Sequence, residues 1–221
     1  MAVLLEGGCR VARMSEAAPQ VEGKLISMRV LEFEPGISET FRHDDRDEVL
    51  FALDPCTLVI DDIPHDVEPQ SGVFIPAKNA FRFDNRGTHP ARFVSVLSPA
   101  TTSPPPISVV RLADQRALPT ADRWYRVLID SEVTQFVGSI PPGRAPDHFH
   151  EYEEVLFILQ GQGRMWTEAT STPIEFGSCI YLPRKQVHCV ENTGTGELRL
   201  LGVFYPAGSP AVRYETATQN P

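Results

Sequence analysis

Residues 143–192 read GRAPDHFHEYEEVLFILQGQGRMWTEATSTPIEFGSCIYLPRKQVHCVEN. The stretch contains His148, His150 and Glu154 and, well downstream, His188. Side chains on a β-strand alternate between its two faces, so His148 and His150 point the same way, and Glu154 joins them if the chain stays extended. Three donors from one strand region cannot surround a metal ion, and His188, which follows a second strand pattern, is the candidate for the fourth.

Three imidazoles and one carboxylate form a donor set for a metal ion of intermediate softness. Such ligands suit divalent Fe, Mn, Ni, Co, Cu or Zn. The sequence therefore predicts one divalent transition metal, bound by His148, His150, Glu154 and His188, without choosing among these elements. A single His-x-His is weak evidence for a metal site, so the prediction depends on the pattern around it.

Glycine, proline and asparagine residues flank the four candidate ligands at fixed spacings. The first block has Gly143, His148, His150, Glu154 and Gly161, and the second has Gly177, Pro183, His188 and Asn192. The two blocks resemble the two sequence motifs of the cupin superfamily. They depart from it in that the first glycine is one residue closer to the histidines and Lys185 stands where the family often has glycine. The resemblance implies a small antiparallel β-barrel that holds the metal inside it.

Composition favours many short strands and excludes some partners. The 221 residues include 15 glycines and 20 prolines, and this proline share is about twice the usual one. The formal net charge of −9 argues against nucleic acid and against anionic membrane surfaces as partners. No apolar run reaches the roughly 18 residues of a membrane-spanning helix. Residues 1–14 lack the apolar core of a secretory signal, so we expect a cytoplasmic location, and either Met1 or Met14 fits as the first residue.

Landmarks of the first half of the chain return in the second half at a nearly fixed distance. Pro35-Gly36 returns as Pro142-Gly143, Pro76 as Pro183 and Asn85 as Asn192, each 107 residues later, and Glu48–Phe51 returns as Glu154–Phe157, 106 residues later. A constant register over so many landmarks indicates a duplicated unit. We therefore predict an all-β fold of two tandem cupin barrels of the double-stranded β-helix (jelly-roll) type, a bicupin.

The repeat and a proline-rich connector set the predicted boundaries. The connector is Ser103-Pro104-Pro105-Pro106, a stiff sequence. We expect a flexible tail over residues 1–20, an N-terminal barrel over 21–100, a linker over 101–122, a C-terminal barrel over 123–207 and a second tail over 208–221.

The N-terminal copy lacks most of the candidate ligands. His188 corresponds to Phe81, whereas His148 and His150 correspond to Arg42 and Asp44 when counted back from Glu48, or to Phe41 and His43 when counted forward from Gly36. Either alignment leaves at most one histidine beside Glu48, so we predict no metal in this barrel. Its expected role is structural: packing, dimerisation or walling the other barrel's pocket. We interpret residues 42–44 as a solvated charged loop, and whether this barrel binds anything stays open.

Further side chains in the second copy are candidates for roles around the metal. Glu154 is the candidate catalytic residue, because a carboxylate at a metal can leave it and act as a base. Arg164 and Tyr181 are candidate substrate-binding residues, and Arg164 could pair with a substrate carboxylate. Outward-facing or packing roles are equally open for both. The nearby acids that could orient the imidazoles are Asp147, Glu151 and Glu153.

Cupins with this ligand set include dioxygenases, decarboxylases, lyases, isomerases and cyclases, and the fold does not choose among them. Our first hypothesis is a metal-dependent enzyme that acts on a small organic molecule, with dioxygenase chemistry leading. The alternatives are a non-redox isomerase, cyclase or lyase, and a small-molecule binding or sensing module without turnover. No helix-turn-helix pattern or basic patch indicates a DNA-binding regulator. A homodimer is expected, because two-fold dimers are the commonest soluble oligomers.

Overall fold

The computed structural model describes residues 3–4, 6–13, 20–120 and 123–210. Nearly every regular element in this part of the chain is a β-strand, and the exceptions are two three-residue 3-10 helices, Glu6–Gly8 and Leu112–Asp114. Over the same residues, no helix has the length and apolar character that a membrane span requires. The prediction of an all-β fold is confirmed.

The first half of the chain forms two antiparallel sheets that share one core, and we call this unit the N-terminal barrel. Two short strands precede it, β1 (Val3–Leu4) and β2 (Arg10–Arg13). The barrel's own strands are β3 (Gln20–Glu22), β4 (Ser27–Phe33), β5 (Gly36–Ile37), β6 (Arg46–Ala52), β7 (Cys56–Ile60), β8 (Ile63–Val67), β9 (Ser71–Ile75), β10 (Phe81–Asn85), β11 (Ala91–Pro99) and β12 (Ser108–Arg111). One sheet has the order β12-β9-β6-β11-β4-β3 and the other the order β5-β10-β7-β8.

The second half repeats this plan as the C-terminal barrel. Its strands are β13 (Leu118–Thr120), β14 (Arg123–Asp130), β15 (Thr134–Ile140), β16 (Gly143–Arg144), β17 (Glu153–Gln160), β18 (Gln162–Thr167), β19 (Thr170–Glu175), β20 (Ser178–Leu182), β21 (Cys189–Asn192) and β22 (Leu198–Tyr205). The larger sheet has the order β1-β2-β20-β17-β22-β15-β14-β13, and the smaller one the order β16-β21-β18-β19. The predicted tandem of two barrels is confirmed.

Alternation of apolar and polar residues explains the outer strands, and continuous burial marks the central ones. On β10, Phe81, Phe83 and Asn85 are buried, whereas the residues between them are partly exposed. On β17, the six residues from Glu153 to Ile158 are all buried. A strand with both faces buried lies between two packed layers, and here the second layer is the other barrel.

Three apolar clusters fill the part of the molecule that the structure describes. One lies inside the N-terminal barrel and includes Leu50, Leu58, Phe83 and Phe93. A second lies inside the C-terminal barrel and includes Phe136, Leu156, Met165 and Leu200. The third joins the outer faces of the two larger sheets, with Met28, Phe51 and Val94 from one barrel and Val155, Phe157 and Leu201 from the other. The barrels are therefore packed back to back through a continuous apolar interface.

Part of the segment that we expected to be a flexible tail is a strand of the C-terminal barrel. β2 pairs with β20, Arg10 opposite Tyr181 and Arg13 opposite Ser178. Cys9, Val11 and Ala12 are buried. Without β2, β20 would be an open sheet edge, and the pairing supplies partners for its backbone groups. Residues 9–13 are for this reason ordered against the barrel, whereas we expected a flexible tail over 1–20. Met14 and residues 211–221 of the second tail lie outside the described residues.

Candidate metal centre

The four candidate ligands come from three places in the C-terminal barrel. His148 and His150 lie between β16 and β17, Glu154 is the second residue of β17, and His188 immediately precedes β21. An isolated antiparallel bridge pairs His148 with His188. Its two backbone hydrogen bonds run from His148 N to His188 O, at 3.0 Å, and from His188 N to His148 O, at 2.8 Å. The bridge brings residues that are 40 positions apart in the sequence to the same wall of the barrel.

The three imidazoles converge on one point, and the carboxylate of Glu154 lies beside two of them. One ring nitrogen from each of the three histidines lies within 4.8 Å of the others. Glu154 Oε2 lies 3.2 Å from His150 Nε2 and 3.9 Å from His188 Nε2. Ligand atoms that share one ion at about 2.1 Å are themselves about 3–4 Å apart, so these residues fit a single metal ion with small adjustments. Three imidazoles and a carboxylate are also the donor chemistry of a borderline divalent ion.

Backbone carbonyls orient two of the imidazoles. His148 Nδ1 lies 3.1 Å from Pro146 O, and His188 Nδ1 lies 2.7 Å from Gln186 O. A carbonyl can only accept, so Nδ1 carries the proton in both rings and Nε2 is left with its lone pair.

The nearby acids that we considered for this orienting role have other partners. Asp147 pairs with Arg144 at 3.0 Å, and Glu151 lies 3.6 Å from Lys185. Glu153 faces away from the site and accepts backbone N–H groups of the other barrel. The carbonyls that replace them belong to a proline and a glutamine, whose side chains give no sequence signal for this role.

Burial and mutual proximity set the protonation of the cluster. Burial lowers the pKa of His188 to about 3 and also lowers the pKa of His148, and the neighbouring imidazoles add to both effects. Burial opposes the ionisation of Glu154, but the three histidines outweigh it and hold the pKa of this carboxyl below its usual value. At neutral pH His148 and His188 therefore present neutral imidazoles beside an ionised carboxylate, the protonation state that binds a divalent metal.

The cluster opens into a cavity of about 450 Å³ inside the C-terminal barrel. Its floor is apolar, formed by Phe136, Ile140, Leu156, Val190, Leu200 and Phe204. Its polar lining includes Arg123, Tyr125, Ser139, Arg144 and Tyr152. Tyr152 stacks on His150 with ring centroids 4.7 Å apart, its hydroxyl donates to Ser209 O at 3.1 Å, and burial raises its pKa.

Sequence reasoning missed Tyr152 although a signal was present. Positions 148, 150, 152 and 154 share one parity in the sequence, so an extended chain places all four on one face. Arg123 and Ser139 come from neighbouring strands of the sheet, and no motif marks them.

Arg164 and Tyr181 do not line the cavity, so the structure gives no support to their predicted role in substrate binding. Arg164 Nε donates to Ser171 Oγ at 2.9 Å across the β18–β19 pair. Tyr181 is buried in the apolar interface between the two barrels. Both placements have the same cause: the residues that face the interior are their strand neighbours Met165 and Ile180, and the motif does not fix the parity of these strands.

The N-terminal barrel has a different set of residues at the equivalent positions. Its isolated bridge joins Phe41 to Phe81, as His148 joins His188, which selects the alignment of His148 with Phe41 and of His150 with His43. Two aromatic rings thus replace two candidate ligands.

Glu48, the residue of that barrel that corresponds to Glu154, has protein partners. It lies 2.8 Å from His43 Nε2 and 3.5 Å from Arg29 Nη2, and it accepts the Ser95 hydroxyl at 2.5 Å. A guanidinium thereby supplies positive charge beside Glu48, where the other barrel has the histidine cluster.

Comparison with known proteins identifies the fold of the site. Residues 136–204 match the family model described as Cupin domain. The chain is 35% identical over 83 residues to auxin-binding protein 1 of Arabidopsis thaliana, which is 33% of this chain and 42% of that protein. It is 30% identical over 94 residues to quercetin 2,3-dioxygenase of Bacillus subtilis (strain 168), which is 39% of this chain and 28% of that protein. The matched regions therefore span less than half the length of these relatives.

Solved structures extend the similarity to both barrels. AerE from Microcystis aeruginosa superposes with a TM-score of 0.75 at 16% identity, over 93% of this chain and 96% of that chain. An oxalate decarboxylase superposes with a TM-score of 0.70 at 16% identity, over 95% of this chain and 76% of that chain. The C-terminal barrel therefore contains a cupin domain, and the whole chain has the two-barrel fold of these solved structures.

Proposed function

We propose that this protein is a metal-dependent enzyme that acts on a small organic molecule, with dioxygenase chemistry as the leading reaction. One observation carries the proposal: three imidazoles and a carboxylate converge at the wall of a largely apolar cavity. The similarity of 39% of the chain to a protein named quercetin 2,3-dioxygenase supports the choice of reaction. A cytoplasmic location and a homodimer stay predictions from the sequence.

His148, His150, Glu154 and His188 would hold one divalent transition metal. Such an ion, when bound, supplies a Lewis acid and, if it is redox-active, a centre for oxygen chemistry. Glu154 is ionised in its buried setting and is the group that can take a proton from a bound substrate. The apolar floor excludes water from the reacting groups, and the carbonyls of Pro146 and Gln186 hold two of the imidazoles in their working orientation.

The charges on the cavity wall favour a substrate with an anionic group and an apolar body. Arg123 and Arg144 both line the cavity, and Glu154 is the one acid among the described residues that line it. The positive charge of Arg123 acts on His148 and contributes to its lowered pKa. A carboxylate held near the metal and Arg123 would leave the rest of the molecule against Phe136 and Leu200.

Elemental analysis of protein purified without chelators tests the metal site. We expect about one Fe, Mn, Ni, Co, Cu or Zn per chain, lost in His148→Ala and in His188→Ala. His89→Ala is the matched control, because this exposed histidine lies in the N-terminal barrel. Retention of the metal in both site variants would place it elsewhere, and absence of metal after reconstitution would favour a metal-free binding module.

Oxygen uptake separates the leading reaction from its alternative. Iron or copper, with substrate-dependent oxygen consumption that stops in His148→Ala, would support the dioxygenase. Turnover that continues without oxygen, with zinc or manganese bound, would instead support a non-redox isomerase, cyclase or lyase.

A further inference from the structure

Glu153 and Glu154 are adjacent at the start of β17 and face opposite sides of the sheet. Glu154 points into the C-terminal barrel, toward the histidines. Glu153 points toward the N-terminal barrel and is only 2% exposed. A carboxylate is costly to bury without partners, so its contacts on that side indicate what it holds.

The partners of Glu153 are backbone N–H groups from the tip of the β3–β4 hairpin. Oε1 accepts from Lys24 N at 3.2 Å, and Oε2 accepts from Leu25 N at 2.9 Å and Ile26 N at 3.3 Å. The hydroxyl of Tyr181 on β20 also hydrogen-bonds to this carboxylate. Charge-assisted bonds of this kind are about twice as strong as neutral ones, so one side chain ties the N-terminal barrel to the strand that carries Glu154.

The hairpin tip also fits closely against this strand. A Cβ added to Gly23 would lie 2.3 Å from Tyr181 Cε2 and 2.6 Å from Glu153 Oε2. Gly23 N donates to Ile26 O at 2.8 Å, which closes the turn. A methyl group at Gly23 would overlap the side chains of Tyr181 and Glu153, so alanine there would push the tip and Glu153 apart.

We propose that Glu153 is a positioning residue through which the N-terminal barrel fixes the metal-binding carboxylate of Glu154. This inference rests on the proposed metal site. Consecutive strand residues share one peptide unit, so the clamp on Glu153 sets the direction in which Glu154 leaves the backbone. A metal ligand has to be held within about 0.5 Å of its working position. The N-terminal barrel, in this account, contributes rigidity to the site of its neighbour.

Glu153→Ala and Asp47→Ala are a matched pair for the test. Asp47 occupies the position on β6 that corresponds to Glu153, is 1% exposed, and accepts Ala77 N at 2.8 Å and Thr101 N at 2.7 Å. Both substitutions remove a buried carboxylate that accepts backbone amides, but only one of these carboxylates adjoins a candidate metal ligand. Thermal unfolding of the two variants measures the structural cost that they share.

Binding of Co²⁺ to the metal-free full-length chain, followed by its visible absorption, is the readout specific to positioning. We expect Glu153→Ala to bind Co²⁺ about tenfold more weakly than the parent with a changed absorption spectrum, and Asp47→Ala to keep the affinity and spectrum of the parent. Glu153→Gln retains an oxygen acceptor for the amides and should recover part of the loss. Gly23→Ala moves the hairpin tip away from an unaltered Glu153 and should also weaken Co²⁺ binding. The test therefore does not depend on a single variant, which could fold poorly.

Two outcomes overturn the inference while the metal site stands: unchanged Co²⁺ binding in Glu153→Ala and Gly23→Ala, or an equal loss in Asp47→Ala. Failure of the parent to bind Co²⁺ would refute the proposed function instead. Hydrogen exchange of the backbone amides in the metal-free protein then tests whether the contact with Glu153 couples the two barrels. Exchange in residues 153–157 should increase in Glu153→Ala and not in Asp47→Ala, and equal exchange in the two variants would refute the clamp itself.

Discussion

Phe81 and His188 occupy the same position in the two barrels, 107 residues apart in one chain. Each is one half of an isolated bridge, to Phe41 in the first barrel and to His148 in the second. Phe41 and Phe81 stack with ring centroids 5.5 Å apart, whereas His148 and His188 direct ring nitrogens toward a shared point. One backbone frame thus supports an aromatic core in one copy and a polar, ligand-rich wall in the other.

The frame itself predicts that a metal site can be restored in the N-terminal barrel. Phe41→His and Phe81→His together, with Arg29→Met to remove the guanidinium 3.5 Å from Glu48, would complete three imidazoles and a carboxylate with His43. We expect the number of bound metal ions per chain to rise by about one, measured by elemental analysis after reconstitution with Zn²⁺. The double histidine variant that keeps Arg29 is the control. It should show no increase in bound metal, because the Arg29 guanidinium already neutralises Glu48 where the cation would bind. An unchanged metal content in the triple variant would contradict the equivalence of the two sites.

Burial of His188 predicts an acid-sensitive fold when no metal is bound. Its pKa is lowered from 6.5 to about 3 in the folded chain, so the unfolded chain binds the proton more readily. The contribution of His188 to the free energy of unfolding should therefore be complete above pH 6.5. It should be lost as the pH decreases from 6.5 toward 3, by up to about 1.4 kcal/mol per pH unit.

Urea unfolding of the chelator-treated protein between pH 7 and 5, above the range of most carboxylates, measures this slope. His188→Gln should have a shallower slope than the parent, and His89→Gln, at an exposed position, should match the parent. Equal slopes in the parent and His188→Gln would show that His188 does not drive the pH dependence.

The cavity lining predicts a preference for acids over amides, and Arg123 is the residue to test. Metal-loaded protein should bind carboxylates with an apolar body more tightly than the matched carboxamides, for example phenylacetate against phenylacetamide. Arg123→Gln should reduce that preference by about tenfold, as expected for loss of a charge-assisted contact. Isothermal titration calorimetry measures both affinities.

Arg164→Gln is the matched control, because Arg164 bonds to Ser171 and does not line the cavity. An equal effect of the two substitutions, or no preference in the parent, would contradict the assignment of an anionic substrate group.

Sequence patterns predicted the duplicated architecture and the convergence of the ligand set because both depend on local spacing. The parity of His148, His150 and Glu154 is a property of any extended chain, and the register of the repeat placed His188 after a strand like the one that precedes Pro76. The backbone bridge between His148 and His188 then needed only the barrel to close.

Features that depend on pairing between distant strands were not predictable in this way. Tyr181 faces the other barrel because β20 lies between β2 and β17 in the sheet. The sequence of residues 178–182 does not indicate which face of the strand packs against the other barrel. Arg10–Arg13 becomes a strand because β20 offers it an edge, although its own sequence has only two apolar residues. The clamp at Glu153 joins positions nearly 130 apart, beyond the reach of any local pattern.

Asn192 and Asn85 make equivalent buried hydrogen bonds in the two barrels, so the free-energy cost of breaking these bonds can be measured twice in one chain. Asn192 Nδ2 donates to Ile140 O at 2.8 Å and to Gly196 O at 2.7 Å, and its Oδ1 accepts from Gly194 N at 2.9 Å. Asn85 makes the corresponding bonds to Phe33 O, His89 O and Gly87 N, at 2.9, 2.9 and 3.0 Å. Each network fastens the turn that follows its strand.

Asn192→Asp and Asn85→Asp should each lower the free energy of unfolding by about 2–4 kcal/mol. The carboxylate can still accept the glycine N–H, but it faces two carbonyl oxygens that have lost their donor. Chemical denaturation at neutral pH measures both costs, and Asp84→Asn, on the neighbouring position of β10, controls for the change between amide and acid. Only Asn192→Asp should also weaken metal binding, because its turn follows the strand that His188 leads into. A loss of stability in one variant without the other would show that the two barrels do not use these asparagines alike.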